Sequence, residues 1–227
     1  MRKKGSEHTL GEHGELLYGL AVAVDIENFS KHDTLGQYEL QDALGMALDT
    51  ASKRAGLDRD TWYRQARGDG ELSILPADAD VARVVAHLSH ELTSALREMR
   101  TANDLPRLRL RVAMHHGTLT RGRFGPVGQA PIVVCRLLDA RPVRHTLAEK
   151  PDMDLVLVVS STLYHEVVQT RFYGLVPALF KPHRIKAKGT TYMAYITTEP
   201  FFLRNICRIP SDHSAATSLA TRLLESN

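Results

Sequence analysis

Apolar residues run almost unbroken from Leu16 to Val24 and stop at Asp25. A stretch of Leu, Val and Ala of this length predicts a buried strand that delivers its last residue, an aspartate, to a turn. From Gly36 to Ala55 the pattern changes, with Leu40, Leu44, Ala47, Leu48 and Ala51 at helical spacing and Gly56 following as a stop. That segment reads as a helix packed by one face. Two short extended runs, Thr61 to Arg67 and Glu71 to Leu75, flank Gly68, Asp69 and Gly70, which predicts a hairpin with an aspartate at its tip. A second helix is expected from about Ala79 to Ala102, on the stripe Val81, Val84, Val85, Leu88, Leu92, Leu96 and Met99.

Pro106 opens the next strand, and Leu108 to His115 alternates apolar and polar residues until Gly117 ends it. After a glycine-rich loop, Ala130 to Ala140 reads as a short helix carrying Arg136. Leu155 to Val159 is a buried strand, Ser160 a helix cap for Thr162 to Val168, and runs around Arg184 and Tyr192 form a terminal hairpin. The implied fold class is α+β: a sandwich of one mixed sheet with helices packed against it. Residues 1–15 form a flexible N-terminal segment, 16–198 the domain, and 199–227 a C-terminal extension without a strong period.

Composition narrows the function classes. A chain of 227 residues, 43% of them hydrophobic, has material for one sizeable core. No apolar stretch approaches the roughly 20 residues of a membrane span, so no membrane partner is expected. Met1 to Glu12 carries Arg2, Lys3 and Lys4 with no apolar segment behind them, unlike a secretory signal, which leaves a cytoplasmic location as the expectation. Cys135 and Cys207 lack the spacing of a disulfide framework or a zinc site. The net charge of +3 is scattered, which argues against a nucleic-acid partner. The one dense run, Lys181 to Lys188 ("KPHRIKAK"), reads either as a charged strand edge or as a phosphate contact.

Asp25 and Asp69 both stand at strand ends. Two carboxylates held close repel unless a cation lies between them, and magnesium favours one or two carboxylates together with substrate phosphates. The backbone N–H groups from Asn28 to Lys31 would offer a triphosphate an anion site if they open the next helix. Each aspartate taken alone reads more readily as a turn cap than as a metal ligand. The adjacent His115 and His116 point to opposite faces of a strand, so they do not act as a pair.

These residues resemble the class III nucleotidyl cyclases, the adenylyl and guanylyl cyclase family. The resemblance rests on "AVDIENFSK" (Ala23 to Lys31), "RGDGELSIL" (Arg67 to Leu75), "LRLRVAMHHGTLTRG" (Leu108 to Gly122) and "VGQAPIVVCRLLDA" (Val127 to Ala140), in that order and over about Leu16 to Ile196. It implies a ferredoxin-like class III cyclase fold and conversion of a nucleoside triphosphate to a 3′,5′-cyclic nucleotide and pyrophosphate. By that resemblance Asp25, Asp69 and the carbonyl of Ile26 hold two Mg2+ or Mn2+ ions, and Arg136 stabilises the transferring phosphate. Asn28, Phe29, Ser30, Gln65, Gly68 and Lys188 line the substrate, with Lys186 a weaker candidate for the phosphate lysine than Lys188. Without the family, Arg136 reads as a helix arginine paired with Asp139 or Glu71.

Three positions depart from the family. Ile132 stands where it has an asparagine, Gln65 where it has an adenine-selecting lysine, and Gly125 near its partner aspartate. A base other than adenine is implied, and divergent bacterial stand-alone members resemble the pyrimidine cyclases of anti-phage signalling, whose cyclic UMP or CMP activates a separate effector protein. The family works as head-to-tail dimers, so a homodimer is expected. The alternative is a catalytically silent cyclase-like domain that regulates by binding nucleotide or protein.

Overall fold

A computed structural model describes residues 9–11, 14–102 and 107–201. The strand start expected at Pro106 and the tail beyond Phe201 fall outside the described residues. β1 (Leu17–Ile26) turns Leu20, Val22, Val24 and Ile26 to one core and Ala21 and Ala23 to another. Burial on both faces is why its apolar run is continuous rather than alternating. α1 (Thr34–Arg54) begins at Asp33, whose carboxylate accepts from the Gly36 N–H, and it buries Leu40, Leu44, Ala47, Leu48 and Ala51. β2 (Tyr63–Arg67) and β3 (Gly70–Ile74) make the expected hairpin. α2 (81–102) contains a π-helical turn, Val84–Leu88, in which Val84, Val85 and Ala86 are all buried.

β4 (Leu110–Gly122) continues past Gly117, where the sequence predicts its end. Gly117 lies inside the strand opposite Gly19, and a Cβ on it would meet the His115 ring at 2.7 Å. The glycine there makes room for a histidine rather than ending a strand. The expected glycine loop is instead a hairpin from β4 to the short β5 (Gly125–Val127). α3 (Gln129–Leu138) and the unanticipated α4 (Arg141–Ala148) follow. β6 (Leu155–Ser160) leads into α5 (Ser161–Glu166), where the Ser160 hydroxyl accepts from the Leu163 N–H at 3.3 Å. β7 (Phe180–Ala187) and β8 (Thr190–Thr197) complete the chain's sheet.

The strands form one sheet in the order β2-β3-β1-β4-β6-β8-β7, with β5 on the side of β4. Among the described residues only β4 and β6 pair in parallel. The first half, β1-α1-β2-β3-α2-β4, is a ferredoxin-like βαββαβ unit with β1 and β3 at its centre. Residues of α1, α2 and α5 share one core with the sheet, and residues of α3 and α4 share the other, so the α+β sandwich is as expected. Full burial of each Leu or Val side chain contributes about 2 kcal/mol. Leu10, within the segment 1–15, is buried in the second core, and Phe201 in the first. β7 is an edge strand with Lys181, Arg184 and Lys186 exposed, which matches the charged-edge reading of this run. Among the described residues no helix is long and apolar enough to cross a membrane.

An ion cluster around the buried Arg59 ties the β2–β3 hairpin to the exposed Asp49 of α1. Arg59 donates to both carboxylate oxygens of Glu71 at 2.8 and 2.9 Å and also to Asp49, with its guanidinium 5.9 Å from the Trp62 ring centre. Arg59→Ala strands the half-buried Glu71, and urea unfolding is expected to show a loss of about 3 kcal/mol. An unchanged midpoint would mean that the hairpin does not depend on this tether.

Candidate active site

Asp25 is the penultimate residue of β1, with Gly70 of β3 opposite on one side and Arg111 of β4 on the other. The Ile26 N–H donates to the Asp69 carbonyl at 2.8 Å, so the hairpin tip folds onto the end of β1 and brings the two aspartates together. In a strand the carbonyl of a residue leaves on the same side as its N–H, which turns the Ile26 carbonyl toward the same tip. Behind the tip, the Gln41 carboxamide on α1 donates to the Gly68 carbonyl at 2.6 Å. Asp69 itself is exposed.

Asp25 is 6% exposed, and its carboxylate accepts from Arg111 Nε at 2.7 Å. Burial pushes the Asp25 carboxyl up to about 6, Arg111 pulls it back and the negative charge of Asp69 adds to the rise. Glu27 next to it is paired with Arg109, which also donates to the carbonyls of Leu147, Lys150 and Met153. A deeply seated carboxylate, an exposed one on a backbone tied to it, and the carbonyl of Ile26 beside them are hard-oxygen donors of the kind that suits Mg2+ or Mn2+. Among the described residues, no group of three or more His, Cys, Asp or Glu side chains could hold a metal ion. Any ion would thus depend on Asp25, Asp69, backbone and substrate.

The anion site expected at Asn28 to Lys31 takes a different form. Asn28 has φ 59° and starts a separate three-residue 3-10 turn, Phe29–Lys31, whereas α1 opens only at Thr34 behind the acidic cap Asp33. The N–H groups of Lys31 and His32 are already bonded to the carbonyls of Asn28 and Phe29. Phe29 packs half-buried against the first core, while Asn28 and Ser30 are exposed.

Arg136 and Lys188 belong to another part of the chain. Arg136 donates to the Tyr192 hydroxyl and lies 5.6 Å from the centre of that ring, so its partner is neither Asp139 nor Glu71. Lys188, at φ 46°, and Gly189, at φ 79°, form the two-residue turn between β7 and β8. Three strand steps separate β1 from β8, about 14 Å of sheet by strand spacing alone. One chain therefore joins Asp25 to Asp69 and turns Arg136 to Tyr192 on the strand that follows the Lys188 turn.

Gln65, half-buried on β2, and Gly125 on β5 are neighbours: a Cβ built on Gly125 would lie 3.2 Å from Gln65 Oε1 and 2.9 Å from the Tyr63 hydroxyl. Ile132 is 43% exposed on the outer face of α3. His115 shares a 2.8 Å hydrogen bond with Ser160, and burial holds its ring down at about 4, while His116 lies edge-on to Tyr18. Each histidine has its own packing partner. Sequence reasoning missed Arg111, Gln41 and Tyr63. Alternation marks Arg111 as a polar strand position, but nothing local reveals that it faces Asp25.

No family model matches the chain, and no curated protein matches it by sequence. Solved structures do. The guanylyl cyclase Cya2 superposes with a TM-score of 0.58 at 16% identity, over 85% of this chain and 98% of that one. The adenylate/guanylate cyclase/hydrolase from Silicibacter pomeroyi gives 0.57 at 16% identity, over 82% and 98%. The guanylate cyclase domain of RhGC from Catenaria anguillulae, solved with GTP, gives 0.53 at 18% identity, over 82% and 100%. The chain has the fold of the class III nucleotidyl cyclase catalytic domains.

Proposed function

We propose that this protein is a nucleotidyl cyclase, converting a nucleoside triphosphate to its 3′,5′-cyclic nucleotide and pyrophosphate. The observation that carries the reading is the meeting of Asp25 and Asp69 at the end of β1, beside Arg111, in a fold shared with cyclases. Asp25, Asp69 and the Ile26 carbonyl would hold Mg2+ or Mn2+, two ions by the family pattern. When bound, the metal supplies Lewis-acid stabilisation of phosphate charge and acidifies the ribose 3′ hydroxyl.

The chain's own groups divide the remaining work. The 3′ oxygen attacks the α-phosphorus, the bond to the β-phosphate oxygen breaks, and the hydroxyl proton leaves to solvent. Arg111 is charge-paired with Asp25, and its guanidinium would exchange that carboxylate for a phosphate oxygen. Asn28, Ser30 and Gly68 border the triphosphate with backbone and small polar groups. Arg136 offsets the charge that shifts onto pyrophosphate, after leaving the Tyr192 hydroxyl, and Lys188 adds a further cation.

By the family pattern a complete site takes two chains, head to tail, with Arg136 of one facing Asp25 of the other, and the turn of Arg136 toward Tyr192 on β8 supports that reading. Exposed apolar residues support self-association: Phe124 is 89% exposed, and Val127 and Ile132 are 51% and 43% exposed nearby in sequence. Gln65 beside Gly125 supports a base other than adenine, and by resemblance a cyclic pyrimidine product for a separate antiviral effector. The second reading, a silent regulatory domain, draws on Ile132, which offers no hydrogen bond to a ribose.

Incubation with ATP, GTP, CTP and UTP plus manganese should yield a cyclic nucleotide by mass spectrometry. Asp69→Ala should abolish it and Arg136→Ala lower it by about a hundredfold or more. No product from a folded, dimeric protein would move the assignment to the silent domain. Metal affinity should also follow the proton on Asp25. Its carboxyl, raised to about 6, is protonated below that pH and charged above it, so Mn2+ binding at fixed ionic strength should weaken as pH drops through 6. Pairing with Arg111 stays charge-balanced only above the same pH, and a flat affinity from pH 7.5 to 5 would exclude Asp25 as a ligand.

A further inference from the structure

Gln37 and Gln41 stand one turn apart on α1, which makes their side chains neighbours on the helix surface. Each gives its carboxamide to a backbone carbonyl of a different segment. Gln37 Nε2 donates to the His32 carbonyl at 2.8 Å, at the end of the turn that follows Asp25, and Gln41 Nε2 donates to the Gly68 carbonyl at 2.6 Å, on the tip that carries Asp69. The helix holding them is fixed from below, since Leu40 and Leu44 are 1% and 6% exposed and Ala43 and Ala47 are fully buried. Across the tip, the Ile26 N–H donates to the Asp69 carbonyl at 2.8 Å. Asp69 itself is exposed, so its position depends on bonds to the backbone around it rather than on packing.

We propose that Gln37 and Gln41 are positioning residues: from one helix face they fix the spacing between the turn after Asp25 and the tip bearing Asp69, and so keep the two aspartates side by side. The consequence for a metal ion rests on the proposed function, whereas the clamp itself does not. Carboxamides suit the task. A carbonyl only accepts, and a carboxamide offers it a donor without adding charge. A lysine or arginine at position 41 would pair with Asp69 and neutralise it, and a glutamate would repel the Gly68 carbonyl. Groups that orient metal ligands from outside are commonly worth about ten- to a hundredfold in metal affinity.

The test uses the full chain and two readouts, amide hydrogen exchange without metal and Mn2+ affinity by EPR. Gln41→Met keeps the length of the side chain and removes the donor. It should speed exchange of the Ile26 amide, which the Asp69 carbonyl protects, by about fivefold or more, while Leu20 and Val22 in mid-strand and the melting midpoint stay as in wild type. Gln41→Glu at pH 7.5 keeps the shape without the donor and should show the same faster exchange. Mn2+ affinity should fall by about tenfold in Gln41→Met, and Gln37→Met, which frees the His32 carbonyl, should lower it as well. Unchanged Ile26 exchange in both Gln41 variants would overturn the proposal, as would wild-type Mn2+ affinity in Gln41→Met, or a lowered midpoint with exchange faster along all of β1, the mark of a general structural role. Faster Ile26 exchange in the variants of a protein whose wild type binds no Mn2+ would uphold the clamp and remove the metal-binding reading of the function instead.

Discussion

For two carboxylates to share one end of a sheet, the backbone of β3 has to press against that of β1. A Cβ on Gly70 would stand 1.9 Å from the Val24 carbonyl oxygen and 2.9 Å from the Asp25 Cα, which no side chain tolerates. Glycine at this point sets the pairing of Asp25 with Gly70 and places Asp69 just beyond it. The Ile26 to Asp69 bond and the Gln41 contact on Gly68 then hold the tip in place, and the Arg59 cluster anchors the hairpin behind it. Asp69 owes its position to this close backbone approach.

The charges around that point are arranged in pairs. Asp25 answers Arg111 and Glu27 answers Arg109, so each acidic residue at the end of β1 has a guanidinium beside it, from β4 or from the residue just before it. Such pairs lower the cost of burying carboxylates, and they keep an arginine within reach of whatever anion arrives. On the far side, Arg136 rests against the face and hydroxyl of Tyr192, a neutral partner that releases a cation more readily than a carboxylate does.

Local signals were the ones the sequence carried well. Asp25 and Asp69 were visible because a strand end and a glycine-flanked turn are written within a few residues, and the helices α1 to α3 because their stripes repeat. The glycine at 117 misled because it accommodates the His115 ring in mid-strand, a tertiary reason. α4 went unseen because eight residues give little more than two turns of pattern. Arg111, Gln41 and Tyr63 come beside Asp25, Gly68 and Gly125 only through pairings between segments distant in the chain, which no local period encodes. The side-by-side placement of Gln65 and Gly125 is of the same kind: each position stood out by family resemblance, but their meeting across two strands, with the Tyr63 hydroxyl beside them, did not.

The pairing of β1 has one more consequence, in the time the protein takes to be made. Both neighbours of β1 come later in the chain, and its longer ladder is with β4. During synthesis the strand bearing Asp25 waits for the 96 residues from Glu27 to Gly122 (122 minus 26), roughly 5–20 s at ordinary translation rates. Over that interval its apolar faces have only the β2–β3 hairpin and two helices to cover them. A ribosome stalled between β3 and β4 would therefore hold out an incomplete sheet with an open edge, and the nascent chain has its greatest need of a chaperone there.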